Sequence, residues 1–266
     1  MSFSAANISL RPFYLAKRVA IAPNRFFSFQ ILAAKRAGEA LGEEMGWTET
    51  VKNAEKLVKS AMAGNDASHD AAHAFRVRDL AASLANEEGL SSSESLQIVE
   101  LAALLHDIGD YKYVRDPSQK KIVEVFLEEE GIELGKRTRI LQIINRMGFK
   151  EELAGAVEDG YCTEFGLVQD ADRLDAIGAV GIARCFTFGG NRNRVLHDPA
   201  IQPRSDLSKQ QYMNKDEQTT LNHFHEKLLK LKDLMKTKAG RRRAERRHRF
   251  MEEYLKEFYQ EWDGNA

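Results

Sequence analysis

The stretch Leu101-Ala-Ala-Leu-Leu-His-Asp-Ile-Gly-Asp110 constrains this 266-residue chain more than any other. Leucine and alanine favour helix, and apolar side chains on every side of that helix require burial all round, so it belongs at the centre of a fold. The run ends in an adjacent imidazole and carboxylate, His106 and Asp107, and stops at Gly109, a residue suited to helix termination. Aspartate is seldom fully buried unless it is paired or bound to a metal. A His-Asp pair at the end of a buried helix therefore asks for partners from elsewhere in the chain.

Helical periodicity runs through most of the remaining sequence. Residues 48–62 carry apolar positions Val51, Leu57, Val58 and Met62. After the turn Gly64-Asn-Asp-Ala-Ser68 a helix is predicted over 69–88, with His73, Val77, Leu80 and Leu84 on one face, so His73 points where the apolar stripe points. Further helices are predicted over about 93–107, 118–130, 133–147 and 150–158, then one long helix from Phe165 to Phe188 ended by Gly189-Gly190. Residues 191–218 read as a long polar loop, Leu221–Met235 as an amphipathic helix, and the end of the chain as a helix with an aromatic ridge, Phe250, Tyr254, Phe258 and Trp262, docked on the domain. No stretch shows strand periodicity. The fold class is all-α, a helical bundle over 45–266 preceded by an extension over 1–44.

Three of these helices offer metal ligands: His73 from one, the His106–Asp107 pair from another, and Asp172 from the Asp170-Ala-Asp172 stretch of a third. Ligands from facing helices suit a site in a bundle core. Mixed imidazole and carboxylate ligands suit Mn, Fe, Co, Ni or Zn without choosing between them. A core histidine on an apolar face is more often a packing residue, and it is the company of the other candidates that favours ligation. His69-Asp-Ala-Ala-His73 also has the two-histidine spacing of a zinc protease helix, but its middle acid is Asp, where such proteases use Glu as base. No third ligand follows at the spacing such proteases use. His69 is then a substrate-facing or supporting residue, or an ordinary polar residue at a helix start.

The segments His69-Asp-Ala-Ala-His73-Ala-Phe-Arg76-Val, Leu104-Leu-His-Asp-Ile-Gly-Asp110 and Val168-Gln-Asp-Ala-Asp-Arg-Leu-Asp-Ala-Ile-Gly178 together resemble the HD-domain metal-dependent phosphohydrolases. The chain looks closest to small members that act on nucleoside triphosphates. That likeness extends to Pro203-Arg-Ser-Asp-Leu-Ser208, to Asn222-His-Phe-His-Glu-Lys-Leu-Leu-Lys230, and to Arg247-His-Arg-Phe-Met-Glu-Glu253. The resemblance implies a helical bundle with a central divalent metal, with manganese the expected ion and Co, Ni, Fe, Zn or Mg as alternatives. It implies His73, His106, Asp107 and Asp172 as ligands. Asp110 stands where related nucleotidases carry a Glu as general acid or base, and here the side chain is one methylene shorter. Arg76, one turn after His73, is a phosphate-binding candidate, with a salt bridge to an acid such as Asp70 as the plain alternative. Lys112, Arg204, His223, Lys227 and Lys230 complete a cationic set suited to a polyphosphate. The implied activity is cleavage of a nucleoside triphosphate to monophosphate and pyrophosphate. The alternatives are a nucleoside 5'-monophosphate phosphatase and a catalytically silent nucleotide-binding scaffold.

Net charge is −1, so no global field draws nucleic acid or a membrane surface. Lys236–Arg249 carries eight Lys and Arg against one Glu, which reads as a solvated helix face before it reads as a polyanion site. The expected partner is a small-molecule nucleotide, and a homo-oligomer is compatible with the sequence. Cys162 and Cys185 form no CxxC, which argues against a disulfide scaffold. The first 38 residues hold six basic residues (Arg11, Lys17, Arg18, Arg25, Lys35, Arg36) and no acid before Glu39. That is the composition of an organellar transit peptide, mitochondrial ahead of plastid; failing that, the protein is cytoplasmic.

Overall fold

The structure is a computed structural model that describes residues 25–109, 121–147, 162–204 and 218–265, with the backbone alone for residues 25–41 and 43. The predicted helix 150–158 lies outside the described residues, as do Asp110 and Lys112. The chain divides into two compact units, Met1–Thr48 and Glu49–Ala266. The described part of the first is helical from Arg25 onwards, within α1 (Arg25–Ala61). The second contains α2 (Ala71–Glu87), α3 (Ser93–Leu105), α4 (Ile122–Glu129), α5 (Leu134–Arg146), α6 (Thr163–Asp175), α7 (Gly178–Asn191), α8 (Asn222–Glu226) and α9 (Lys238–Trp262). A 3-10 segment, Leu228–Leu234, joins α8 to α9. Among the described residues there is no strand, and no helix is long and apolar enough to cross a membrane.

The all-round apolar character of α3 has the expected outcome. Leu101, Ala102, Ala103, Leu104 and Leu105 are fully buried, and each such leucine contributes on the order of 1.5–3 kcal/mol through burial. α3 packs against α2, α5 and α6, while α6 also meets α7 and α9. Ser92 caps α3, and Gly109 takes a left-handed φ of +82° just beyond its end. Asp70 caps α2 by accepting from the His73 amide at 3.1 Å. That cap fixes the first turn of α2 and with it His73.

The expected single helix from Phe165 to Phe188 is two helices. α6 ends at Asp175 and α7 begins at Gly178, whose φ of +75° favours glycine. A Cβ there would stand 2.9 Å from the Arg247 side chain. The Leu221–Met235 helix is likewise replaced by α8 and the 3-10 segment. Lys227 departs from helical geometry, and Leu228 and Leu231 are buried at the i, i+3 spacing that a 3-10 turn stacks on one side.

The aromatic ridge of α9 docks through Tyr254, Phe258 and Trp262, the last with its ring 5.1 Å from that of His197. Tyr254 and Phe258 lie 6.0 and 6.4 Å from Phe186 of α7, and Phe250 and Trp262 are exposed. The buried stripe is instead Ala244, His248, Met251 and Leu255. Nor is the basic run simply solvated: Arg242 and Arg243 pair with Glu87 of α2, and Arg247 donates to the Leu174 carbonyl. Cys162 is exposed and Cys185 half-buried, both as free thiols.

Candidate metal centre

His73 reaches the centre from the first turn of α2. Its Nδ1 lies 2.8 Å from Asp175 Oδ2. An ionised carboxylate accepts only, so Nδ1 carries the proton and the Nε2 lone pair faces inward. That lone pair looks onto Asp107 Oδ2 at 3.2 Å and Asp172 Oδ1 at 3.5 Å. His106 is oriented by the same logic. Its Nδ1 donates to the Ala103 carbonyl at 2.8 Å, and its buried Nε2 has no hydrogen-bond partner. It stands 3.4 Å from Asp107 Oδ1 and 3.7 Å from Asp172 Oδ1, and the two imidazole rings are 5.2 Å apart.

Two imidazole Nε2 atoms and two carboxylates therefore converge, and a proton on His106 or a bound cation offsets the negative charge they gather. The residues fit a divalent metal. Ligand atoms of His73, His106 and Asp172 all lie within 4.8 Å of one another, close enough to converge on a shared ion that holds its donors at about 2.0–2.2 Å. The local field points the same way. Burial alone would lower the His106 imidazolium, but Asp107 and Asp172 outweigh it and push the group up to about 9. Burial likewise works against the charged forms of Asp107 and Asp172, yet the imidazoles hold Asp107 well below the usual carboxylate range and lower Asp172 also.

A second layer supports the ligands. Besides the His73 imidazole, Asp175 accepts from Arg76 Nε (2.8 Å), Arg76 Nη2 (3.0 Å) and Arg184 Nη1 (3.0 Å). Burial would raise its carboxyl, and these donors hold it down at about 2. Arg184 also donates from Nε to the Ser68 carbonyl at 2.6 Å. Such carboxylate–histidine–metal chains fix the tautomer and orientation of the ligand.

The other sequence candidates fall into place around this centre. Arg76 pairs with Asp175 and not with Asp70, because Asp70 is occupied as the α2 cap; its side chain remains 37% exposed. His69 is adjacent to the site, its ring 6.0 Å from that of His73 and its Nδ1 2.7 Å from Ser68 Oγ. Arg204 is committed to Glu226, with Nε at 2.9 Å and Nη2 at 2.5 Å, so it ties the 201–204 segment to α8. His223, Lys227 and Lys230 lie on α8, at its end and in the 3-10 segment, the first two half-buried and the last exposed. Sequence reasoning assigned no role to Asp175 or Arg184. The spacing of Asp175 three residues after Asp172 was its one available signal.

The HD domain family matches residues 70–177. The uncharacterized protein YpgQ of Bacillus subtilis (strain 168) is 36% identical over 219 residues, spanning 80% of this chain and 96% of that protein. Its crystal structure in complex with ADP superposes with a TM-score of 0.61 at 32% identity, covering 81% and 96% of the two chains. An HD-superfamily hydrolase from Bacillus thuringiensis is 39% identical over 82% of this chain and 98% of its own, with a TM-score of 0.60. A Lactobacillus plantarum protein gives a TM-score of 0.71 at 33% identity, covering 81% and 98%. The inward-facing cluster of His73, His106, Asp107 and Asp172 thus sits in a matched fold and a matched segment, and the chain belongs to the HD superfamily of metal-dependent phosphohydrolases.

Proposed function

We propose that this phosphohydrolase acts on nucleotides, cleaving nucleoside triphosphates to monophosphate and pyrophosphate with manganese as the working ion. The observation that carries the nucleotide reading is the ADP complex of YpgQ, a relative matched along nearly its whole length. A divalent metal on His73, His106, Asp107 and Asp172 would supply an activated water and neutralise charge on phosphorus. In the reaction a water oxygen bonds to the α-phosphorus, the bond to the bridging oxygen breaks, and pyrophosphate leaves with the electron pair. His69, beside the ligands, and Asp110, three residues after Asp107, are the groups to accept and return the proton. Arg76, held by Asp175 yet partly exposed, contributes positive charge beside the ligands. The acid-free N-terminal stretch supports delivery to an organelle, the mitochondrion first; a tagged full-length chain left uncleaved in the cytosol overturns that.

The reaction is tested by hydrolysis in oxygen-18 water with Mn, Co, Ni or Mg, the products read by phosphorus NMR. The label is expected in the monophosphate, with unlabelled pyrophosphate beside it. Label confined to orthophosphate, with nucleoside as the other product, would establish a monophosphatase instead. No turnover by the metal-loaded protein on any nucleotide would leave a binding scaffold.

A further inference from the structure

Beyond the metal ligands, the end of α7 builds a cationic ledge that faces the same loop as the site. Phe188 lies 5.6 Å from His69, ring to ring, and His69 lies 6.0 Å from His73. The guanidinium groups of Arg192 and Arg194 lie over the Phe188 ring, 5.3 and 5.1 Å from its centre. The backbone makes this possible. α7 ends with the Arg192 amide bonded to Phe188 and Gly189 carbonyls, and Asn193 takes a left-handed φ of +52°. The chain then folds back so that the Arg194 amide reaches the Gly189 carbonyl at 2.9 Å.

The ledge is fastened to the site at two points. Asn191 Nδ2 donates to Asp66 Oδ2 at 2.9 Å, and Arg184 holds the Ser68 carbonyl while also binding Asp175. Asp66, which also accepts from Ser68, is the acid next to the ledge. A guanidinium over a ring uses its flat face for that contact, while its five donors lie in the plane, in the fork that suits phosphate oxygens. Arms already ordered against a ring lose less freedom when they grip a ligand.

We propose that Phe188, Arg192 and Arg194 form the seat for the two outer phosphates of a nucleoside triphosphate whose α-phosphorus lies at the metal centre. This rests on the triphosphate reading above and deepens it. The Arg pair takes the charge of the departing pyrophosphate.

The experiment compares the manganese-loaded wild type with the double variant Arg192→Gln/Arg194→Gln, after checking metal content and thermal melting. Two substrates are used: a nucleoside triphosphate, and the p-nitrophenyl ester of thymidine 5'-phosphate, which presents an α-phosphorus with no outer phosphates. Inorganic pyrophosphate is the inhibitor, with metal in excess. The double variant is expected to lose at least about tenfold more kcat/KM on the triphosphate than on the ester, and to need about tenfold more pyrophosphate for half-inhibition. Equal losses on the two substrates, or an unchanged pyrophosphate requirement, would overturn the seat while wild-type release of pyrophosphate left the triphosphate reading standing. A wild type that releases no pyrophosphate and is not inhibited by it would overturn both.

Discussion

α6 carries carboxylates on two faces, and the protein treats them in opposite ways. Asp170, on the face towards α9, is fully buried and surrounded by donors: the Lys236 amide at 2.8 Å, the Thr237 amide at 2.7 Å and the Thr237 hydroxyl at 2.7 Å. α9 can come this close because position 240 is glycine; a Cβ there would stand 2.2 Å from Asp170 Oδ2. On the other face Asp172 looks onto two imidazole Nε2 atoms and a second carboxylate. Both arrangements bear the cost of taking charge out of water. The first meets it with hydrogen bonds, although burial still raises the Asp170 carboxyl, and serves to lock α6 to α9. The second sets it against the two imidazoles, which lower the Asp172 carboxyl, and against a bound cation. The contrast separates a structural acid from a functional one better than burial does.

The sharpest way to break this contrast is at the ligands. His106→Ala or Asp107→Ala should remove the metal and lower activity by at least about a thousandfold, the several kcal/mol a metal contributes to phosphoryl chemistry. Helical circular dichroism should persist. Full metal occupancy by elemental analysis in either variant would show that these residues are not ligands. On the other face, Asp170→Asn should keep the metal but lose about 2–4 kcal/mol of stability in urea unfolding, because an amide nitrogen is turned towards backbone donors. Loss of metal without loss of stability would reverse the assignment of the two faces.

Asp175 stands between the two cases, since it is satisfied by donors and yet holds a ligand. Asp175→Asn should weaken metal affinity by about 10–100-fold in competition with a chelator, as expected when the partner orienting a histidine ligand is changed. Unaltered affinity would make it purely structural. The smallest effect concerns acid stability. The Asp175 carboxyl titrates near 2 in the folded protein against an ordinary 3.8. Unfolding therefore takes up a proton in that window, and the contribution is present above about 4 and lost as pH falls towards 2. About 2 kcal/mol of stability should disappear there in the metal-free wild type. Parallel acid limbs in wild type and Asp175→Asn would contradict it.

Much of this was legible in the sequence because helical periodicity is local. The apolar stripe through Val77 and Leu84 placed His73 inward, and the uninterrupted apolar run before His106 made α3 central. What escaped depends on contacts between segments far apart in the chain. The joint at Gly178 lies in a pattern that remains helical on either side, and its cause is a turn tucked beneath Arg247, 69 residues later. The role of Asp175 needs Arg76 and His73, about a hundred residues earlier. Arg192 and Arg194 read as polar loop because nothing local shows that the chain folds back over Phe188. Arg204 read as a cation for substrate, and Glu226 takes it instead.

The two thiols have a practical consequence. Burial pushes the Cys185 thiol up to about 12, from an ordinary 9.0, so at neutral pH its nucleophilic thiolate is suppressed about a thousandfold. Cys162 is exposed and immediately precedes the helix that carries Asp172. An alkylating reagent carrying a fluorophore or spin label should therefore mark Cys162 alone, without mutagenesis. The native chain comes with its own address for a reporter, mounted on the element that metal loading must hold in place.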